Sequence, residues 1–93
     1  MRESVIEKHL VKRVKEIGGE VRKVQWIGRR GAPDRLVMLP VEHWTWNKSV
    51  WVELKATGVK AEAYQLREHD RMRMLGQRVE VIDSIEGVEA LLS

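Results

Sequence analysis

Gly31-Ala32-Pro33-Asp34-Arg35-Leu36-Val37-Met38-Leu39, read together with Ser49-Val50-Trp51-Val52-Glu53-Leu54-Lys55, decides how this chain is built. Each piece holds a short apolar run rich in strand-forming residues and bordered by Pro or polar residues, so each predicts a buried strand. Two adjacent strands run about 5 Å apart. An antiparallel pairing sets Asp34, at the start of the first strand, beside Glu53 and Lys55 at the end of the second. Residues two apart on a strand point the same way, so Glu53 and Lys55 project together while Leu54 faces the opposite layer. Two carboxylates and an ammonium gathered inside a sheet are unfavourable to bury without a purpose. A divalent cation would hold the carboxylates, and the lysine would position or activate a water. That combination points to phosphodiester cleavage.

The chain's 93 residues suit one domain, residues 1–93, near the small end of what buries a self-sufficient core. An apolar share of 43% beside 33% charged residues describes a globular, water-soluble chain. No apolar run approaches the roughly 20 residues of a membrane span, and no signal peptide opens the chain. Cysteine is absent, which excludes disulfides and zinc–thiolate sites and is compatible with a cytoplasmic setting. The net charge of +3 is unevenly spread: residues 1–31 carry nine Lys/Arg against four Asp/Glu, the remainder eight against ten. A basic N-terminal third is a candidate footprint for nucleic acid, although solvated basic residues on helices are ordinary.

Around the two strands, a helix is predicted from Glu3 to Ile17, with Ser4-x-x-Glu7 in capping-box form and Gly18-Gly19 as its stop. Its inward stripe is Glu3, Glu7, Leu10, Val14 and Ile17, acidic toward the N-terminal end. Either glutamate can reach a metal site above the sheet; equally, both can serve the helix dipole, worth about 0.3–1 kcal/mol each. Glu20 to Ile27 predicts a first strand through Val21, Val24, Trp26 and Ile27. A second helix runs from Ala61 to Leu75 and stops at Gly76, with Gln65, His69, Met72 and Leu75 on one core-directed face. A buried glutamine there needs partners. His69 reads as a satisfied, half-buried residue, and Arg67, Arg71 and Arg73 as a solvated face, with tracking a DNA strand as the alternative. Arg78 to Ile82 makes a last strand, and Ser84 caps a last helix through Leu92. The predicted order is α-β-β-β-α-β-α.

Three connections carry candidate binding residues. Gly28-Arg29-Arg30-Gly31 leads straight into Pro33-Asp34, where glycines permit close backbone approach and paired arginines grip a phosphate; the alternative is a solvated, flexible turn. Lys60, in the loop that ends the Glu53 strand, is a further candidate DNA contact. Pro40–Lys48 contains His43, Trp44 and Trp46, and two exposed tryptophans on a lone monomer are costly. Packing on the domain itself or a subunit contact ranks above base stacking for them, and His43 is expected to be an ordinary loop histidine.

The Pro33-Asp34 and Glu53-Leu54-Lys55 pieces resemble the PD-(D/E)xK nuclease superfamily. The fuller string Gly31-Ala32-Pro33-Asp34, Glu53-x-Lys55 and a helical Gln65 looks like its virus-type replication-repair branch (VRR-NUC), here as a stand-alone, phage-like domain. The resemblance covers nearly the whole chain, and its order of elements as well as its motifs. It implies an α/β, restriction-endonuclease-like core: a mixed β-sheet flanked by helices. It also implies Mg²⁺ or Mn²⁺ as cofactor, held by Asp34, Glu53, the Leu54 carbonyl and a helix-one glutamate, Glu7 ahead of Glu3. Lys55 would then orient the attacking water, and Gln65 would orient that water or the lysine.

The expected activity is structure-selective DNA cleavage, with a homodimer cutting four-way (Holliday) junctions in a bacterial host cell. Flap or single-strand nicking is the competing specificity. A non-catalytic DNA-binding module is the runner-up class, and a protein-interaction domain, suggested by Trp44 and Trp46 alone, is the third.

Overall fold

The computed structural model describes residues 1–45 and 47–93. Helix α1 (Glu3–Glu16) is followed by strands β1 (Glu20–Lys23), β2 (Arg35–Met38) and β3 (Ser49–Leu54). Helix α2 (Ala63–Met74), strand β4 (Arg78–Ile82) and helix α3 (Ile85–Leu92) complete the expected order. The strands form one sheet in the order β1-β2-β3-β4; the first three run antiparallel and β4 lies parallel to β3. A parallel partner needs a crossover, and α2 with its loops supplies it.

The pleat sorts side chains onto two faces. Val37, Leu39, Val50, Val52, Leu54 and Ile82 pack against Ile6, Leu10 and Val14 of α1 and Val88, Leu91 and Leu92 of α3. Glu89 of α3 accepts from Arg13 at 3.0 Å and lies 2.8 Å from His9 Nε2, tying the two helices together. The alternate residues of β3, Trp51 and Glu53, face the α2 side, where the Trp26 and Trp51 rings meet at 5.1 Å.

Several boundaries differ from the sequence reading, each for a local reason. Ser4 does not cap α1: the cap is Arg2, in extended conformation, whose carbonyl takes the Val5 N–H at 3.1 Å. The Met1 carbonyl accepts from Thr57 N–H, which pins the entry of a helix that starts at Glu3 as expected. Ile6 rather than Glu3 joins the buried stripe. Strand β1 stops at Lys23, not Ile27, because its partner begins at Arg35 and the preceding Pro33 has no N–H to extend the ladder. Helix α2 starts two residues late, where Gln65 and Glu62 form a capping box, and Leu75, its C-cap, is exposed rather than core-directed. Ser84 caps α3 as expected, its Oγ accepting from Gly87 N–H at 2.9 Å.

His43 is a loop residue, but a working one: Nδ1 lies 3.0 Å from Thr45 Oγ1 and Nε2 3.0 Å from the Leu92 carbonyl, fastening the β2–β3 loop to the end of α3. Trp44 stacks on the His43 ring yet stays 73% exposed, so it is not packed into its own domain. Trp46, paired with it in the sequence reading, lies outside the described residues.

Gly19 marks the closest approach of α1 to the sheet, since a Cβ there would sit 2.5 Å from the Met38 carbonyl oxygen and 2.8 Å from Val14 Cγ1. Both neighbours are fixed by strand and core. Gly19→Ala is expected to destabilise the protein by about 1–3 kcal/mol, the usual penalty of overpacking, read as a lowered urea midpoint at unchanged m-value.

Candidate active site

Asp34 and Glu53 meet because of strand register. The last paired position of β2 and β3 is Arg35↔Val52, and Asp34 and Glu53 come next on their chains, close enough that the Asp34 charge raises the Glu53 pKa. Both backbones are held from outside the pair: the Asp34 carbonyl accepts from Val24 N–H at 2.9 Å, and Lys55 N–H donates to the Ile82 carbonyl at 3.0 Å. Leu54 turns into the core while Glu53 and Lys55 point the other way, as alternation requires.

Glu53 is the unusual group. Its side chain is 13% exposed, and among the described residues no donor lies within hydrogen-bond range of it. Burial pushes its pKa up to about 7; the Lys55 ammonium and Arg35 act against this, while the charges of Asp34 and Glu3 add to it. His69 of α2 is the nearest candidate partner, with Nε2 3.6 Å from Glu53 Oε1. The sequence reading of His69 as satisfied and half-buried is corrected here: the ring is fully buried and neither nitrogen has a hydrogen-bond partner.

Arg35 was missed as a site residue. It is 8% exposed and bridges Asp34, at 2.7 Å, and Glu7 of α1. Burial opposes its charge, but Glu7 and Asp34 outweigh that and hold the guanidinium above its ordinary value. The signal was available: Arg35 shares the buried face of Val37, where an unpaired charge is not tolerated. Glu7 is therefore engaged by Arg35. Glu3 is exposed and reaches the site only as a nearby negative charge.

Gln65 takes a structural position, its side-chain carbonyl accepting from Glu62 N–H at 2.8 Å to start α2. The loop before Asp34 is anchored rather than a free turn. Arg29 donates to Glu68 at 2.7 Å, Arg30 lies 4.0 Å over the Tyr64 ring, and the Trp26 indole donates to the Pro33 carbonyl at 2.8 Å. Glu68, also unforeseen, is buried between Arg29 and Arg71; the hydrogen bond from Arg29 leads in holding its carboxyl below the usual range. Lys60 remains exposed.

A hard cation fits this donor set in one specific way. No group of three or more His, Cys, Asp or Glu side chains converges among the described residues. Glu53, however, is a half-buried carboxylate with no protein donor among the described residues, and the Asp34 charge acts on it. Two carboxylates with a main-chain carbonyl, waters and substrate oxygens make a shell typical of Mg²⁺.

The raised pKa of Glu53 has a testable sign. Without metal, the folded state keeps this proton up to about pH 7 while the unfolded chain releases it near 4.5. Over that window the native state binds more protons, so stability falls as pH rises and levels off above it. In EDTA, wild type is expected to lose roughly 2–3 kcal/mol between pH 4.5 and 7.5 relative to Glu53→Gln, measured by denaturant melts at stepped pH.

No family model matches the chain. It is 52% identical over 84 residues to "Putative nuclease p44" of Acyrthosiphon pisum secondary endosymbiont phage 1, covering 90% of this chain and 85% of that protein. A solved structure described as "VRR_NUC domain" superposes with a TM-score of 0.80 at 39% identity, over 96% of this chain and 91% of the other. Likeness of this extent in sequence and fold places the chain in the phage-type VRR-NUC nuclease family.

Proposed function

We propose that the protein is a Mg²⁺- or Mn²⁺-dependent DNA endonuclease that hydrolyses phosphodiester bonds at branched structures. The observation that carries this reading is Glu53: a half-buried carboxylate with no protein donor among the described residues, its pKa raised in part by the Asp34 charge, two residues from Lys55. A buried acid in that state is a poor structural element and a good cation ligand. Asp34, Glu53 and the Leu54 carbonyl would hold the cation, with Glu3 or Glu7 supporting it through solvent. The bound cation polarises phosphoryl oxygens and makes hydroxide available near neutral pH. Lys55 orients the attacking water and offsets negative charge as it builds on the phosphate. Gln65 could assist the water only after releasing the cap on Glu62. Arg29, Arg30 and Lys60 contact the DNA backbone, the arginines from a loop already held in place, so little ordering is needed on binding.

Dimension supports assembly. One protomer measures 33 × 30 × 21 Å, long enough for about ten base pairs at 3.4 Å each, or one arm of a junction. A two-fold dimer would present two such sites to a four-way junction. The exposed Trp44, Met74 and Leu75 supply apolar surface for it. The phage origin of the relative supports action inside a bacterial host. No helix among the described residues is long and apolar enough to cross a membrane.

One observation favours the competing reading of a non-catalytic DNA-binding module: Arg35 already occupies Asp34 and Glu7. Cleavage of a labelled four-way junction, a flap and a plain duplex separates the two. Metal-dependent cuts that fall by at least about 100-fold in Asp34→Ala and in Lys55→Ala establish the nuclease mechanism. Tight junction binding with no product under Mg²⁺ or Mn²⁺ moves the protein to the binding class. Cuts confined to flaps or nicked single strands replace the junction specificity. Light scattering at micromolar concentration should return twice the 10.8 kDa protomer mass; a strict monomer would remove the paired-cut model.

A further inference from the structure

Helix α2 carries a histidine that the hydrolytic scheme leaves idle. His69 is fully buried, and neither ring nitrogen makes a well-formed hydrogen bond, although the Gly31 main chain lies close to the ring. A buried polar group without a well-formed hydrogen bond is unfavourable. As a neutral imidazole the ring has one N–H to give.

The Glu53 carboxylate, likewise without a protein donor among the described residues, lies beside it. Nε2 and Oε1 stand 3.6 Å apart, about 0.7 Å beyond an ordinary N–H···O bond. A small rotation of the carboxylate closes that gap. The two groups are complementary, each is unsatisfied, and they face each other across the seam between β3 and α2.

We propose that His69 is a positioning residue whose Nε2–H hydrogen-bonds Glu53 Oε1 and fixes how that carboxylate is presented to the cation. The inference rests on the reading of Asp34 and Glu53 as cation ligands. Ligating carboxylates are themselves held by hydrogen bonds, and losing such a partner typically weakens metal binding 10- to 100-fold. A purely structural His69 would behave differently. A leucine in its place leaves no unpaired nitrogen, so it should be tolerated or stabilising, with no effect on metal affinity.

The test titrates Mn²⁺ into metal-stripped full-length protein, reading free Mn²⁺ by electron paramagnetic resonance and the melting midpoint in EDTA. His69→Leu is expected to melt at or above wild type and to bind Mn²⁺ roughly 10- to 100-fold more weakly. His69→Gln, whose amide nitrogen reaches the Nε2 position, should recover most of the affinity; His69→Asn, whose amide reaches only the Nδ1 position, should not. The Gln–Asn contrast decides the matter even where the leucine variant folds poorly. Equal affinity in the Gln and Asn variants, or wild-type affinity in His69→Leu, overturns the role of His69 and leaves the nuclease reading standing. Equal affinity in wild type and Glu53→Gln removes the cation reading, and the inference with it.

Discussion

The register of β3 is the constraint on which everything else depends. Val50, Val52 and Leu54 fill the core beneath α1 and α3, and Trp51 and Glu53 occupy the face between them and α2. A slip of one residue would turn Glu53 and Lys55 into the core and Val52 and Leu54 out of it. The apolar residues that stabilise the domain are therefore the same ones that aim the site. The flanking bonds from Val24 to Asp34 and from Lys55 to Ile82 hold the ends of the two strands where they diverge. In a chain this short, with one principal core, fold and site cannot be varied independently.

Charge is distributed around that register in two contrasting ways. Asp34 and Glu7 share the buried Arg35 guanidinium, which links helix α1 to the start of β2. Glu53 receives no donor, and its burial leaves it close to half-protonated near neutral pH. Two carboxylates a strand apart thus have different electrostatic partners, the arrangement by which neighbouring acids acquire different chemical duties. Breaking the Arg35 bridge would strand charge beneath α1. Supplying positive charge to Glu53 would offset the burial that raises its pKa.

The approach to the site is built more firmly than a glycine- and arginine-rich loop suggests. Trp26, Arg29 and Arg30 each find a partner, on Pro33, Glu68 and Tyr64 respectively. Gly31 has φ near +88°, and a Cβ there would meet the Tyr64 carbonyl oxygen at 2.9 Å, so the loop lies directly on the start of α2. The segment preceding Asp34 is thereby docked on the same helix that supplies His69. Geometry near the catalytic candidates is set by contacts between β2, β3 and α2 rather than by any one element.

By itself the sequence determined the order of elements, the antiparallel pairing of the Asp34 and Glu53 strands, and the opposition of Leu54 to Glu53 and Lys55. These follow from short-range facts: a two-residue side-chain period, apolar runs of strand length, and glycines where helices stop. Tertiary structure alone decided the rest. Arg2 caps α1 because Thr57 holds Met1; Gln65 turns back to Glu62; Glu7 is taken by Arg35, and Arg29 by Glu68. His69 could be placed on an inward face, but that its Nε2 would come within 3.6 Å of the Glu53 carboxylate depended on how α2 crosses β3. Which polar groups meet across elements distant in the chain is a matter of long-range packing, and no local periodicity encodes it.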